Sequence, residues 1–203
     1  MTRRASPYPR SPFTLVVPDE VWRLTLVEVA RYRADESEAL VLWGGVVLDR
    51  TSIVTGLYLP THDPQGACVA LTTEEARWVV RRLRARDEKL LAQVHSHPSE
   101  AFHSPGDDRR AASYHPGYYS VVVPGYGTGV ATIDQCTVHL YDGDKFTPLS
   151  NSEASDLIQV TPTAERLRPE PVDIPAPAPR HRPGWYRWIA SKLKQRPTGP
   201  KRR

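Results

Sequence analysis

Two histidines separated by one residue, His95 and His97, follow directly on a strand-like segment at residues 90–94 and are followed by Pro98. Along a strand, side chains at i and i+2 leave the same face, so both imidazoles can reach one cation. Asp107 follows on a loop and offers a third, carboxylate ligand. Two ring nitrogens, one carboxylate oxygen and an open fourth position make the donor set of a catalytic zinc site, whose water is acidified to a pKa of about 7. The set suits zinc without excluding iron or another divalent ion. Such chemistry also needs a base to take the water proton and pass it to a leaving amine. Glu38 is the candidate, because it stands at the lip of the apolar segment 39–48, where desolvation raises a carboxylate's pKa.

Several elements must converge to position these groups. Pro18 and Asp19 open a helix to about residue 33, with Trp22, Leu26 and Val29 at i, i+4 and i+7 on one face. Segment 39–48, interrupted only by Gly44 and Gly45, reads as a buried strand. Residues 52–59 read as a second strand and 67–71 as a short third. Thr72 and Glu75 form a capping-box pattern. The helix they start carries Ala76, Val79, Val80 and Leu83 on one face and ends near residue 86. A strand at 90–94 then leads into the histidines, and a short helix is expected over 106–113. Segments 118–123, 129–133 and 137–141 read as further strands. Strands interleaved with helices predict an α/β fold, a mixed sheet with helices packed on it.

Composition narrows the class. The chain has 203 residues, 39% of them hydrophobic, and 20 prolines, about twice average usage, so part of it is not expected to pack. Two cysteines, Cys68 and Cys136, cannot make a four-thiolate zinc site or a disulfide framework and read as small buried residues. The longest apolar run is too short for a bilayer, and the N-terminal segment lacks the apolar core of a secretory signal. A cytoplasmic location is the expectation. Charge and proline divide the chain. Residues 180–203 hold nine Lys or Arg and no acid, which leaves the rest at −5. An N-terminal arm (1–12), a domain (13–149) and a Pro-rich linker with a basic tail (150–203) follow from this division. Within the linker, 169–183 reads as semi-rigid polyproline II. In the tail, Trp185, Trp188, Ile189 and Lys192 fall on one helical face. That face fits docking to a partner, or the tail serves only solubility. Neither nucleic acid nor membrane is singled out.

The ordered pattern Glu38…His95-x-His97-Pro98…Ser104-x-x-Asp107 resembles the JAMM motif of the JAB/MPN (MPN+) zinc metalloproteases, over about residues 13–149. The segment from Glu38 to Gly45 is similar to the family's glutamate strand ending in glycine. The resemblance implies a JAB/MPN, cytidine-deaminase-like sheet flanked by helices. It implies one zinc per chain on His95, His97 and Asp107, Glu38 as general acid/base and Ser104 as stabiliser of the oxyanion. It implies hydrolysis of isopeptide or peptide bonds at the C-terminus of a ubiquitin-like modifier. The short loop after Asp107 resembles compact prokaryotic members that accompany activating and conjugating enzymes, some in antiphage pathways. Two alternatives stand beside this. One is a JAMM peptidase that processes a sulfur-carrier protein, and the other is a non-catalytic MPN-type interaction module. Two departures stand out. Five residues rather than six separate Pro98 from Ser104, which leaves Asp108 as an alternative ligand to Asp107. Val41 replaces a family glycine, an expected matter of packing. Asp107 is preferred because it shares one short turn with Ser104. His103 reads as an exposed loop histidine rather than a fourth ligand or substrate contact, and His62, His115 and His139 read as structural.

Overall fold

The computed structural model describes residues 14–60, 70–163 and 171–174. The N-terminal arm, His62, Cys68 and the basic segment 180–203 lie outside them. The described chain runs through β1 (Thr14–Pro18), α1 (Asp19–Arg31), β2 (Leu40–Leu48), β3 (Thr51–Leu59), α2 (Thr73–Ala85) and β4 (Lys89–Ser96). It continues through α3 (Pro105–Arg110), β5 (Tyr119–Val123), β6 (Thr137–Tyr141), β7 (Phe146–Pro148), α4 (Asn151–Leu157), β8 (Ile158–Thr161) and β9 (Pro171–Asp173). The strands join in one mixed sheet, ordered β7-β6-β5-β4-β2-β3-β1-β8, with β9 paired to β3.

The sheet's centre explains the unbroken apolar run. On β2, Val41 and Trp43 enter one core with Val21, Trp22 and Val29 of α1. Leu40 and Leu42 enter the opposite core with Tyr58, Val79 and Leu83. A strand covered on both faces has no polar side to alternate. Two tryptophans fasten α1 to the rest. The Trp43 indole N–H donates to Thr25 Oγ1 at 2.9 Å, and that of Trp22 to the Ala131 carbonyl at 2.8 Å. The capping box of α2 forms as its sequence predicts, with Thr72 and Glu75 exchanging hydrogen bonds. Val80 departs from the predicted face and is exposed.

The β2–β3 register shifts at Gly44/Gly45. A Cβ on Gly45 would fall on the Ile53 carbonyl oxygen and crowd Leu91. Backbone cannot yield there as a flexible side chain can. Gly45→Ala is therefore expected to cost about 2 kcal/mol, the scale of overpacking a tight core, read as a lower denaturant midpoint at unchanged slope.

Several expectations need correction. Residues 129–133 are not a strand: turns and 3₁₀ segments occupy 124–135, held by the Thr132–Gln135 capping pattern and by Gly127 and Gly129 at positive φ. Ala70 and Leu71 are not in a strand, and the rest of 67–71 lies outside the described residues. The sheet also continues past residue 149. β8 lies parallel to β1 and β9 parallel to β3, so residues 171–173, read as polyproline linker, pair with the sheet. No helix among the described residues is long and apolar enough to cross a membrane.

Candidate metal centre

The site forms where β2 begins and β4 ends. The two strands are antiparallel, with Leu40 opposite His95. Continuing that register brings Glu38 beside His97, and their Oε1 and Nε2 atoms lie 3.9 Å apart. Ser96, between the histidines, points the other way and is fully buried. Its Oγ accepts the Ala39 N–H at 2.9 Å, and its own N–H donates to the Ala39 carbonyl at 3.1 Å. The residue separating the two ligands thus holds the strand end that presents Glu38. Sequence reading missed it, although alternation places this hydroxyl on the core face.

The Ser-x-x-Asp spacing has a local cause. Ser104 is the N-cap of α3, Pro105 occupies the first turn, and Asp107 stands at the third helical position. Ser104 Oγ accepts the Gly106 and Asp107 N–H groups, both at 3.2 Å, and the Ser104 N–H donates to Asp107 Oδ2 at 2.6 Å. This reciprocal capping box aims the Asp107 carboxylate at the histidines. Asp107 Oδ2 lies 3.7 Å from His95 Nε2 and 3.8 Å from His97 Nε2. One ligand atom from each of the three residues lies within 4.8 Å of the others. Asp108 points elsewhere, with Oδ1 3.2 Å from His103 Nδ1. The geometry therefore brings Asp107, not Asp108, to the centre.

The centre's chemistry fits a divalent cation. His95 Nε2 is buried without a hydrogen-bond partner, since the 3.7 Å contact to Asp107 is too long for one. An orphaned polar atom inside a protein is costly, and a cation between the two rings and the carboxylate satisfies it. Burial pushes the His97 pKa down and His95 adds to this, against Asp107. The ring is then neutral and able to ligate at pH 7. Burial raises the Asp107 pKa, but the nearby His95 and the Ser104 N–H outweigh it and hold the carboxyl well below the usual range. Burial raises the Glu38 pKa, opposed in part by His95. Glu38, Leu40, Gln93, His95, Asp107 and Arg110 line the cleft. Phe102 stands exposed, its ring 4.7 Å from that of His97. Ser104 Oγ uses its lone pairs in the cap, so its own proton is available to a ligand.

His103 corrects an expectation. Its side chain is 2% exposed, not a loop residue in solvent. It stacks on His139 with ring centres 4.3 Å apart. His115 bonds the Leu90 carbonyl at 2.7 Å, a structural contact. Cys136 is buried, as read, and burial pushes its thiol up to about 12.

No family model matches the chain. It is 36% identical over 93 residues to a curated protein of Sinorhizobium fredii named probable metalloprotease y4jG. The match covers 44% of this chain and spans 57% of that relative's length. Among solved structures, protein DSY2949 of Desulfitobacterium hafniense shares the fold, with a TM-score of 0.58 at 18% identity. That likeness covers 76% of this chain and 98% of DSY2949.

Proposed function

We propose that the chain is a JAMM-type zinc peptidase that hydrolyses peptide or isopeptide bonds at the C-terminus of a ubiquitin-like modifier. The observation that carries the metal reading is the buried, unpartnered His95 Nε2, facing Asp107 with His97 and Glu38 alongside. The name of the Sinorhizobium relative supports a peptidase. The resemblance of the whole ordered motif supports the modifier as substrate.

A divalent ion held by His95, His97 and Asp107 would supply carbonyl polarisation and an acidified water. The protein's residues do the rest. Glu38 accepts a proton at its carboxylate and returns it to the departing nitrogen, a role that its raised pKa favours. The Ser104 hydroxyl donates to the oxyanion that develops on the attacked carbonyl. Its cap bonds already fix its position, so little reorganisation is needed. Phe102, exposed beside His97, offers an aromatic surface to a chain that approaches the centre.

The test is incubation of the zinc-loaded chain with three substrates: a ubiquitin-like protein extended by a C-terminal peptide, an isopeptide conjugate of it, and a sulfur-carrier precursor. Release after the modifier's last residue is the expected result. Intact modifier substrates with zinc bound would sink the modifier reading. Cleavage of the carrier precursor alone would move the substrate to that class.

A further inference from the structure

On the face of the sheet that carries His95, a polar rank crosses three strands. Gln93 of β4 pairs with Ser120 of β5, and Ser120 with His139 of β6. His103, from the loop before α3, lies over this rank. Its Nε2 is 3.0 Å from Ser120 Oγ, and its Nδ1 is 3.2 Å from Asp108 Oδ1. Nδ1 faces the Asp108 carboxylate across a 3.2 Å ion-pair contact, an arrangement that favours the ring proton on Nδ1 and leaves Nε2 as the acceptor. The Ser120 hydroxyl then donates to Nε2 while its oxygen accepts the Gln93 Nε2–H at 3.1 Å. The Gln93 Oε1 accepts the Ala112 N–H at 2.8 Å. This series of contacts leaves α3 at the Asp108 ion pair, crosses the buried sheet face through three hydrogen bonds and returns to the backbone just beyond the helix at Ala112. A six-residue helix with no buried residue of its own is thereby gripped at both ends. Asp107, on that helix, faces the strand that carries His95.

We propose that His103 is a positioning residue for Asp107. The Ser120–His103–Asp108 link fixes α3 on the sheet, and so fixes the distance from the Asp107 carboxylate to His95 and His97. The proposal rests on the metal reading above for its consequence, but not for its geometry. Asp108 is half exposed, so its contact alone is screened by solvent. The buried half, His103 to Ser120, is where the link is strong. Partners that orient metal ligands typically change metal affinity 10–100-fold when removed.

The test uses the full chain, His103→Leu and the double variant His103→Leu/Ser120→Ala. Removing His103 alone strands the buried Ser120 hydroxyl, whereas removing both spares that hydroxyl and leaves the Gln93 Nε2–H without its acceptor. The double variant is expected to stay folded and to melt about 5 °C below wild type. Two readouts follow. In the metal-free chain, the Asp107 and Asp108 amides, which donate to the Ser104 carbonyl at 3.0 and 3.2 Å, are expected to exchange hydrogen about tenfold faster. Zinc affinity, measured against a competing chelator, is expected to fall about 10–100-fold. Wild-type exchange at these amides with wild-type zinc affinity would overturn the proposal. So would protection lost equally across all strands, which marks an ordinary packing residue. If the wild type takes up no zinc, the metal reading fails, and exchange in the metal-free chain still decides the positioning role.

Discussion

Asp107→Ala is expected to bring the zinc content of the purified chain to background, while Asp108→Ala keeps the metal at weakened affinity. The two carboxylates are neighbours in sequence, but the helix sends them to different partners. Asp107 Oδ2 lies 3.7 Å from His95 Nε2, and Asp108 Oδ1 lies 3.2 Å from His103 Nδ1. Zinc sites that stabilise small folds contribute about 10–16 kcal/mol. Losing one of three ligands at that scale forfeits roughly a third, on the order of a thousandfold in affinity. Asp108→Ala removes only the outer end of the His103 link, so about tenfold is expected. Alanine at 107 also removes the acceptor of the Ser104 N–H, a capping loss of about 1 kcal/mol. Asp107→Asn retains that acceptor, so metal loss in both variants assigns the effect to the carboxylate rather than to the cap. Metal content by mass spectrometry reads all three. Zinc lost with Asp108 and kept without Asp107 would move the ligand by one residue and contradict the geometry described.

What sequence could and could not show follows from how far each element's cause reaches. His95 and His97 are legible because a strand's period of two is local, and the Asp107 orientation because a capping box needs only four residues. The buried run before Gly44 is legible because a strand covered on both faces has no polar alternation. His103 is not legible. Nothing in Ala101-Phe102-His103-Ser104 shows that the loop folds over β5 and β6, where Ser120 and His139 bury the ring. β8 and β9 are missed for a related reason. β8 pairs with β1 more than a hundred residues earlier, and β9 pairs with β3, so neither needs an alternating pattern of its own. Segment 129–133 misleads because the apolar residues that follow Gly129 look like a strand, while Gly127 and Gly129 bend the chain at positive φ. The groups that perform the chemistry are set by local rules. The groups that hold them in register are set by distant pairing.

Glu38→Gln is expected to keep zinc at wild-type stoichiometry and to lower peptide or isopeptide hydrolysis by about 10²–10⁴-fold, the range of general acid–base catalysis. The substitution conserves shape and leaves Ala39 tied to Ser96, because those bonds use backbone and the serine hydroxyl. It removes only the ability to take up a proton. Glu38 is not among the three residues that converge within ligand distance, so metal content should not follow activity in this variant as it does in Asp107→Ala. Burial of Glu38 raises its pKa toward the range where proton transfer in both directions is efficient, and an amide at this position has no such proton to move. Hydrolysis that persists at the wild-type rate would require another base. Asp107 is poorly suited, because its pKa is held low and its Oδ2 is already bonded to the Ser104 N–H. Retained activity in Glu38→Gln with metal bound would thus remove the proton-transfer scheme while leaving the metal centre in place. Lost activity with metal retained separates the base from the ligands in a single comparison.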